Sequence, residues 1–371
     1  MTGERTMTET APPIRMRDAG YYSANTVGAK LVIDRALPLA LAAIREMDLS
    51  GSAPFATADF GAADGGTSLA LHRAVLTELR ARAPQRQLTL THTDLPHNDF
   101  CTLFRLVQGL LPGREGLGVP GVFSFASGTS FYEPIFPDRS LNLGFSATAM
   151  HWLSRLPAMI SDHVHAVFAV GAARAAFAAQ AAADWERILL HRARELVPGG
   201  QIVFANFGID EQGRYLGATD GRNMHERFGA HWRDLHAAGL IGKDEVARAT
   251  FPQYYRSVAE FRAPFDDAGG AVRRAGLVLE ECFTVLTPCP YAARFAAGEG
   301  TAAEFARAYV PTLRSWSESM FFGALDPARA EAERRAIIDR FYASYEAEVA
   351  ADPAGHAMDY VHCFMRVRKA E

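Results

Sequence analysis

The sequence predicts an α/β protein built on a doubly wound, mainly parallel sheet, with a helical cap formed by insertions. Two observations carry this reading. Short apolar runs alternate with longer segments of 3.6-residue periodicity. Near the middle, a helical pattern meets Pro198-Gly199-Gly200, and a strand pattern follows at once. Proline and glycine there stop the helix and turn the chain back into the sheet.

Taken in order, Pro54–Phe60 reads as a strand, Gly61–Gly66 as a small-residue turn, and Thr67 to about Ala81 as a helix with Leu69, Val75, Leu76 and Leu79 at helical spacing. Leu88–Thr93 alternates as a second strand ending at Asp94, and Asn98–Leu111 is helical. Val122–Ala126, Leu141–Ser146 and Val164–Val170 read as three further strands. Helix Asp184–Val197 precedes strand Gln201–Phe207, and strand-like runs return at Leu277–Leu286 and Tyr360–Val367. Segments 209–270 and 291–357 are helical and constitute the cap. Segments 14–208, 271–290 and 358–371 constitute the core, and residues up to about Pro13 are expected to be disordered.

Composition narrows the function classes. Of 371 residues, 49% are apolar and 22% charged, which suits a globular core. A net charge of −4 gives no electrostatic reason to expect nucleic acid or an anionic membrane. The polar N-terminus has no apolar signal region, and the most apolar long stretch, Val164 to Ala183, is mostly alanine and contains Arg174. Cys101, Cys282, Cys289 and Cys363 form no CxxC pair. A cytoplasmic protein is expected.

The first βα turn, Asp59-Phe60-Gly61-Ala62-Ala63-Asp64-Gly65-Gly66-Thr67, lets backbone approach a ligand closely but lacks GxGxxG. Asp59 at the strand end suits a ligand bearing a cationic amine; the plainer alternative is a tight turn with solvated acids. Asp94, ending the second strand, suits vicinal ribose hydroxyls, the alternative being a helix N-cap. Together they indicate an adenosine-type cofactor without choosing between a nicotinamide and a sulfonium.

The run His92-Thr93-Asp94-Leu95-Pro96-His97-Asn98-Asp99-Phe100 resembles the NDLPxNDFN signature of the SABATH methyltransferases. Tyr22-Ser23-Ala24-Asn25-Thr26 resembles the family's SYAxNS. Gly118-Val119-Pro120-Gly121, followed by Ser130-Phe131-Tyr132 and Ile135-Phe136-Pro137, resembles GVPGSFYxRLFP with an insertion of about nine residues. His151 to Pro157 resembles LHWLSQVP, and Arg192 to Gly208 resembles RSxELVxGGxMVLxxxG. The similarity runs from about residue 16 to the end and is strongest at 92–157.

The resemblance implies a class I methyltransferase, Rossmann-like, using S-adenosylmethionine to methylate a small aromatic or indole-type carboxylic acid, and a homodimer. It places Tyr22, Asn25, Thr26, Asp59, Gly61, Asp94, Leu95, Ser130 and Phe131 at the cofactor. It places His151 and Trp152 against the acceptor's carboxylate, with Arg17, Ala29 and Thr148 as further substrate-side positions; the cap residues His225 and Trp232 join them as substrate-side candidates by position. Arg17 lies near a family lysine; Arg15 and Lys30 are lesser candidates to neutralise an acidic substrate. Trp offers one N–H donor on a rigid apolar body, enough to hold a carboxylate oxygen without a full charge; read alone, His-Trp is more often a core helix start. His225, Trp232, Trp316 and Phe321 are candidate pocket walls, though aromatic residues at helical spacing are more often core.

Departures from the family bear on the acceptor. Ala29 replaces a glutamine that helps hold the carboxylate, Thr148 a tyrosine, and Ala62-Ala63-Asp64 a Cys-Ser-Ser run. Arg248-Ala249-Thr250 replaces Ser-Phe-Asn before Pro252-Gln253-Tyr254-Tyr255-Arg256-Ser257, a region supplying magnesium in some plant members, so no metal is expected. His163-Val164-His165 is a weak metal candidate, because alternate strand residues face opposite ways. The readings left open are methylation of a ring nitrogen, a nicotinamide-dependent oxidoreductase, and a cofactor-binding regulator.

Overall fold

The computed structural model describes residues 20–371; Arg15, Arg17 and the expected disordered start lie outside the described residues. Five strands run parallel: β1 (Phe55–Phe60), β2 (Leu88–Thr93), β3 (Val122–Ser127), β4 (Leu141–Ala147) and β5 (Leu196–Ile209). β6 (Arg256–Ser257) pairs only with the end of β5, while β7 (Leu277–Thr287) and β8 (Tyr360–Lys369) close the sheet antiparallel, in the order β3-β2-β1-β4-β5-β8-β7.

Both faces of this sheet are covered, which is why β5 reads as an unbroken apolar run. Side chains alternate across a strand. Val203, Ala205 and Phe207 therefore join one buried cluster with helices α2 (Val27–Glu46) and α3 (Leu69–Arg82), which follow the short α1 (Tyr21–Asn25). Ile202 and Phe204 join the opposite cluster with Trp185, Ile188 and Leu189 of α5 (Gly171–Glu195), which comes after α4 (Phe100–Val107).

The later helices are α6 (Met224–Ala237), α7 (Lys243–Arg248), α8 (Val258–Asp266), α9 (Ala271–Arg274), α10 (Pro290–Ala296), α11 (Ala302–Ala324) and α12 (Glu331–Ala351). Of these, α6, α7, α11 and α12 pack on one another around Phe228, Phe321 and Phe341. Their apolar core is continuous with that of the α2 face of the sheet.

Three expectations are corrected. Val164–Val170 is no strand but a loop with one 3-10 turn, Ala166–Phe168. β5 already lies beside β4, and the Val164 carbonyl instead accepts Phe251 N–H at 2.7 Å. A short valine-bearing run carries no periodicity that separates these cases. The alanine-rich stretch after it starts α5, thirteen residues before the expected Asp184, because alanine favours helix. Finally, Pro198-Gly199-Gly200 is not the helix-stopping turn: α5 ends at Glu195, and β5 begins at Leu196 and absorbs the three residues as an irregularity against β4. The 20-residue α2, which the pattern above leaves unassigned, runs through Pro38, a residue that reads as a breaker.

A buried ion pair ties α5 to the loop after β3. Arg192 meets the Glu195 carboxylate through two hydrogen bonds of 2.6 and 2.7 Å and also donates to the carbonyls of Phe131 and Glu133. Glu195 accepts Ile135 N–H at 2.7 Å and Phe136 N–H at 3.2 Å. Removing one partner strands a charge in the interior, which costs about 3–5 kcal/mol. Arg192→Met should lose that much in chemical denaturation, and a loss below about 1 kcal/mol would show the pair to be dispensable.

Candidate functional site

Three strand ends meet at one edge of the sheet. Leaving β1, Gly61 has φ +81°, and a Cβ there would lie 2.5 Å from the Ala149 Cβ, so only glycine fits. Thr93 O accepts the N–H groups of Gly61 and Ala62 at 2.9 and 3.0 Å. Ala63 is gripped on both sides: its N–H donates to Asp94 Oδ2 at 2.7 Å and its carbonyl accepts Asn98 Nδ2 at 2.8 Å. Asp94 Oδ1 accepts Leu95 N–H at 2.7 Å. Asp94 is thus no helix cap. Asp99 caps α4, accepting Thr102 N–H at 3.0 Å. Burial raises the Asp94 carboxyl above its usual range despite these donors.

Asp59 is buried beneath this turn. Its Oδ2 accepts Ser68 Oγ at 2.6 Å and faces His72 Nε2 at 3.2 Å and His92 Nδ1 at 3.7 Å. Burial alone would raise its carboxyl, but the two histidines hold it well below the ordinary range. Oδ1 has no hydrogen-bond partner among the described residues. The carboxylate is therefore fixed in place through Oδ2.

The N-terminal segment closes over this edge. Ser23 N–H donates to Asp64 Oδ2 at 3.0 Å. The Asn25 carbonyl accepts Tyr291 Oη at 3.0 Å and Thr312 Oγ1 at 2.6 Å, while its side chain turns back to Tyr21 O. Asn25 is accordingly a strap between α1 and α11. Thr26 is buried beside the cavity and donates to Tyr22 O at 2.7 Å, keeping its oxygen as an acceptor. The Ser130 hydroxyl accepts Tyr132 N–H at 3.3 Å, and the Phe131 ring lies 4.8 Å from that of Tyr132. Leu95 is half-buried beside Asp94.

Next to this edge is a cavity with about 410 Å³ of space between its walls, part of it open to solvent. Tyr22, Thr26 and Ala29 reach it from the N-terminal helices, Thr148, His151 and Trp152 from the end of β4, and Trp316 from α11. Thr148 sits at φ +53°, a left-handed conformation that costs a β-branched residue about 1–3 kcal/mol, held by its N–H bond to Ala205 O at 2.9 Å. The Tyr22 hydroxyl lies against Thr148, and burial pushes it up to about 12. The indole N–H of Trp152 has no hydrogen-bond partner among the described residues.

Three of the expected pocket residues are elsewhere. Trp232 is sunk in the helical layer, its N–H on Glu245 O at 3.2 Å and its ring against Phe321. His225 stands behind the wall, 3.2 Å from Tyr255 Oη and stacked on His165 at 4.2 Å. Phe321 likewise belongs to the helical core. Lys30 pairs with Asp34 at 2.6 Å and is not a cavity residue. His163 stacks on Phe168 at 3.6 Å. Conversely, Phe207, Leu216, Gln253, Tyr255, Met358 and Tyr360 line the cavity without having been singled out. Gln253 and Tyr255 lie in the Pro252–Ser257 motif, which sequence reasoning weighed only for metal.

Buried histidines surround the cavity. Burial drives His151 and His225 well below 6.5, and His165 and His362 down to about 3, so all four are neutral at pH 7. Arg256, also buried, spends its guanidinium on the carbonyls of Met150 at 3.0 Å and Ala181 at 2.7 Å, and so anchors the residue preceding His151. No lysine or arginine lines the cavity among the described residues.

The comparisons follow the same lines. The sequence model of a family described as "SAM dependent carboxyl methyltransferase" matches residues 17–276. Loganic acid O-methyltransferase of Catharanthus roseus is 28% identical over 72% of each chain, and O-methyltransferase acrG of Aspergillus aculeatus is 30% identical over 84% of each. Indole-3-acetate O-methyltransferase 1 of Arabidopsis thaliana is 29% identical over 58% of this chain and 61% of its own. The fold is similar to the solved "Loganic acid methyltransferase with SAH", with a TM-score of 0.73 at 21% identity, covering 97% of this chain and 99% of the other.

For the buried histidines the sign of the pH dependence is fixed. Between about pH 6.5 and 3 the unfolded chain binds protons that folded His165 and His362 refuse, so stability falls as pH falls, by about 1.4 kcal/mol per pH unit per group. Both ring nitrogens of His362 lack partners among the described residues. His362→Phe should therefore shrink the fall in Tm between pH 7 and pH 5, and an undiminished fall would refute the assignment.

Proposed function

Since the chain belongs to the SAM dependent carboxyl methyltransferase family and is an S-adenosylmethionine-dependent methyltransferase, we propose that it converts a small carboxylic acid, aromatic or indole-type, to its methyl ester. The observation carrying this is a ring-lined cavity with Trp152 on its wall, its indole N–H making no hydrogen bond to a described residue, and with no lysine or arginine among the described residues that line it. The nicotinamide alternative falls with the family assignment.

The residues present fit the methyl donor. Each Asp94 oxygen accepts one backbone N–H and keeps a lone pair for vicinal ribose hydroxyls. Gly61 carries no Cβ, as the close approach of Ala149 requires, and Asp59 Oδ1 makes no hydrogen bond to a described residue, which suits an amine there. When bound, the donor supplies an electrophilic methyl on a sulfonium. Everything else falls to the protein. A carboxylate acceptor is ionised at neutral pH, its pKa being about 4, so no general base is required. The neutral histidines, and a described lining without lysine or arginine, leave its nucleophilic oxygen unquenched. Trp152 orients that oxygen, and the dry aromatic walls exclude water; such alignment is worth about 7–11 kcal/mol in favourable cases. Indole-3-acetate and loganic acid are the acids named for two relatives, which supports an acid of that size. Ala29 favours the second reading, a ring-nitrogen acceptor, by withdrawing one carboxylate donor.

A panel of aromatic acids, indole acids and xanthines with labelled S-adenosylmethionine separates the two, label in ester supporting the first. Trp152→Phe keeps the ring and deletes the donor. It should lower kcat/KM for the acid roughly 10- to 100-fold, and an unchanged rate would remove Trp152 from the mechanism. Asp94→Ala should abolish most of the calorimetric affinity for S-adenosylhomocysteine; retained affinity would mean that the ribose is held elsewhere.

A further inference from the structure

Pro252–Tyr254 is drawn against His151–Leu153 by two backbone hydrogen bonds, Leu153 N–H to Pro252 O at 2.7 Å and Tyr254 N–H to His151 O at 2.9 Å. Between them Trp152 and Gln253 form an isolated antiparallel bridge. Residues directly opposed in such a pair send their side chains to the same face, with Cβ atoms about 4.5–5.5 Å apart. Both of these side chains line the cavity.

Gln253 is 0% exposed, yet its Nε2 has no hydrogen-bond partner among the described residues. A buried amide left in that condition is costly unless a ligand completes it. Which end of the amide faces the cavity follows from its neighbours' chemistry. His165 Nδ1 accepts Val167 N–H at 3.2 Å, which leaves the ring's proton on Nε2. The His165 ring interacts with the Gln253 side chain, and its Nε2 makes no hydrogen bond to a described residue. Tyr255 Oη, a second potential donor, lies 3.5 Å from Gln253 Oε1. Two donors on one side require the oxygen there, so the NH2 turns to the cavity.

We propose that Gln253 is a specificity-determining residue whose amide NH2 holds the second oxygen of the acceptor's carboxylate beside Trp152; this rests on the acid-acceptor reading above. Trp152 has a single N–H, and a carboxylate has two oxygens to satisfy. The pair reads the acid as a planar two-oxygen group held by two neutral donors. It discriminates against the corresponding carboxamide, whose NH2 would oppose the NH2 of Gln253. Ala29, facing the same cavity, leaves this duty to the opposite wall.

The test uses the full-length protein saturated with S-adenosylhomocysteine and titrated calorimetrically with indole-3-acetate, benzoate and loganic acid, and with indole-3-acetamide as the matched amide. Gln253→Met keeps the volume and removes the orphaned amide. It should weaken binding of the preferred acid roughly 10- to 100-fold, erase the preference for acid over amide, and raise KM more than it lowers kcat. S-adenosylhomocysteine affinity and Tm should stay at wild-type levels, which excludes misfolding as the cause. Gln253→Glu, which sets a carboxylate against a carboxylate, should eliminate acid binding while still loading S-adenosylhomocysteine. Acid affinity in Gln253→Met within twofold of wild type would overturn the assignment of Gln253 alone. Wild-type protein that binds S-adenosylhomocysteine but none of the three acids would overturn the acid-acceptor reading, and this assignment with it.

Discussion

Parallel pairing of β1, β2 and β4 forces three chain exits onto one edge of the sheet, and the site depends on that constraint. Asp59 lies in register with His92 on one side and Phe145 on the other, and neighbouring strands are about 4.8 Å apart. Gly61 therefore leaves its strand between Asp94 and Thr148, about one strand spacing from each. The turn hydrogen bonds then join what the sheet has aligned: Thr93 O takes the first two N–H groups after β1, and Asp94 takes the third. Without the parallel register, the same residues would be three unrelated loops.

Around this edge, charge is distributed unevenly and for a reason. The strand-end side, proposed for the cofactor, carries carboxylates, Asp59 facing two histidines and Asp94 accepting two backbone amides. The cavity side carries aromatic rings, hydroxyls, an amide and histidines that burial keeps uncharged. That distribution suits the proposed pairing of a cationic methyl donor with an anionic acceptor, whose charges would cancel in the reaction. Arg256 illustrates the separation. It is the buried cation nearest His151, yet its guanidinium is committed to backbone carbonyls, so it sets the position of Met150 and its neighbours while keeping its charge out of the cavity.

Much of this was legible in the residues themselves. Strand Leu88–Thr93 and the strand starts at Val122, Leu141, Leu277 and Tyr360 agree with the structure, because a strand buried on both faces must be an apolar run whatever surrounds it. Asp59, Gly61, Asp94, His151 and Trp152 stand together because strand ends and the turns after them are local features with local signals. The segment Val164–Val170 misleads for the complementary reason: its valines suit a strand or a buried loop equally, and the place beside β4 belongs to β5. Helix α2 was hidden by Pro38, which a long helix packed against the sheet tolerates.

The sequence by itself determined the alternation of strands and helices, the glycine turn, the acids at strand ends and the paired His151-Trp152, all of which lie within short stretches of chain. Only the tertiary structure decided which distant groups share the cavity. Gln253 lies about a hundred residues beyond Trp152 and reaches its side through two backbone hydrogen bonds. Trp316 turns inward while Trp232 is spent on the helical core. Periodicity reports which face of a helix is buried, but burial against a ligand and burial against another helix leave the same trace in sequence. Contacts across that distance are fixed by packing, and packing has no one-dimensional signature.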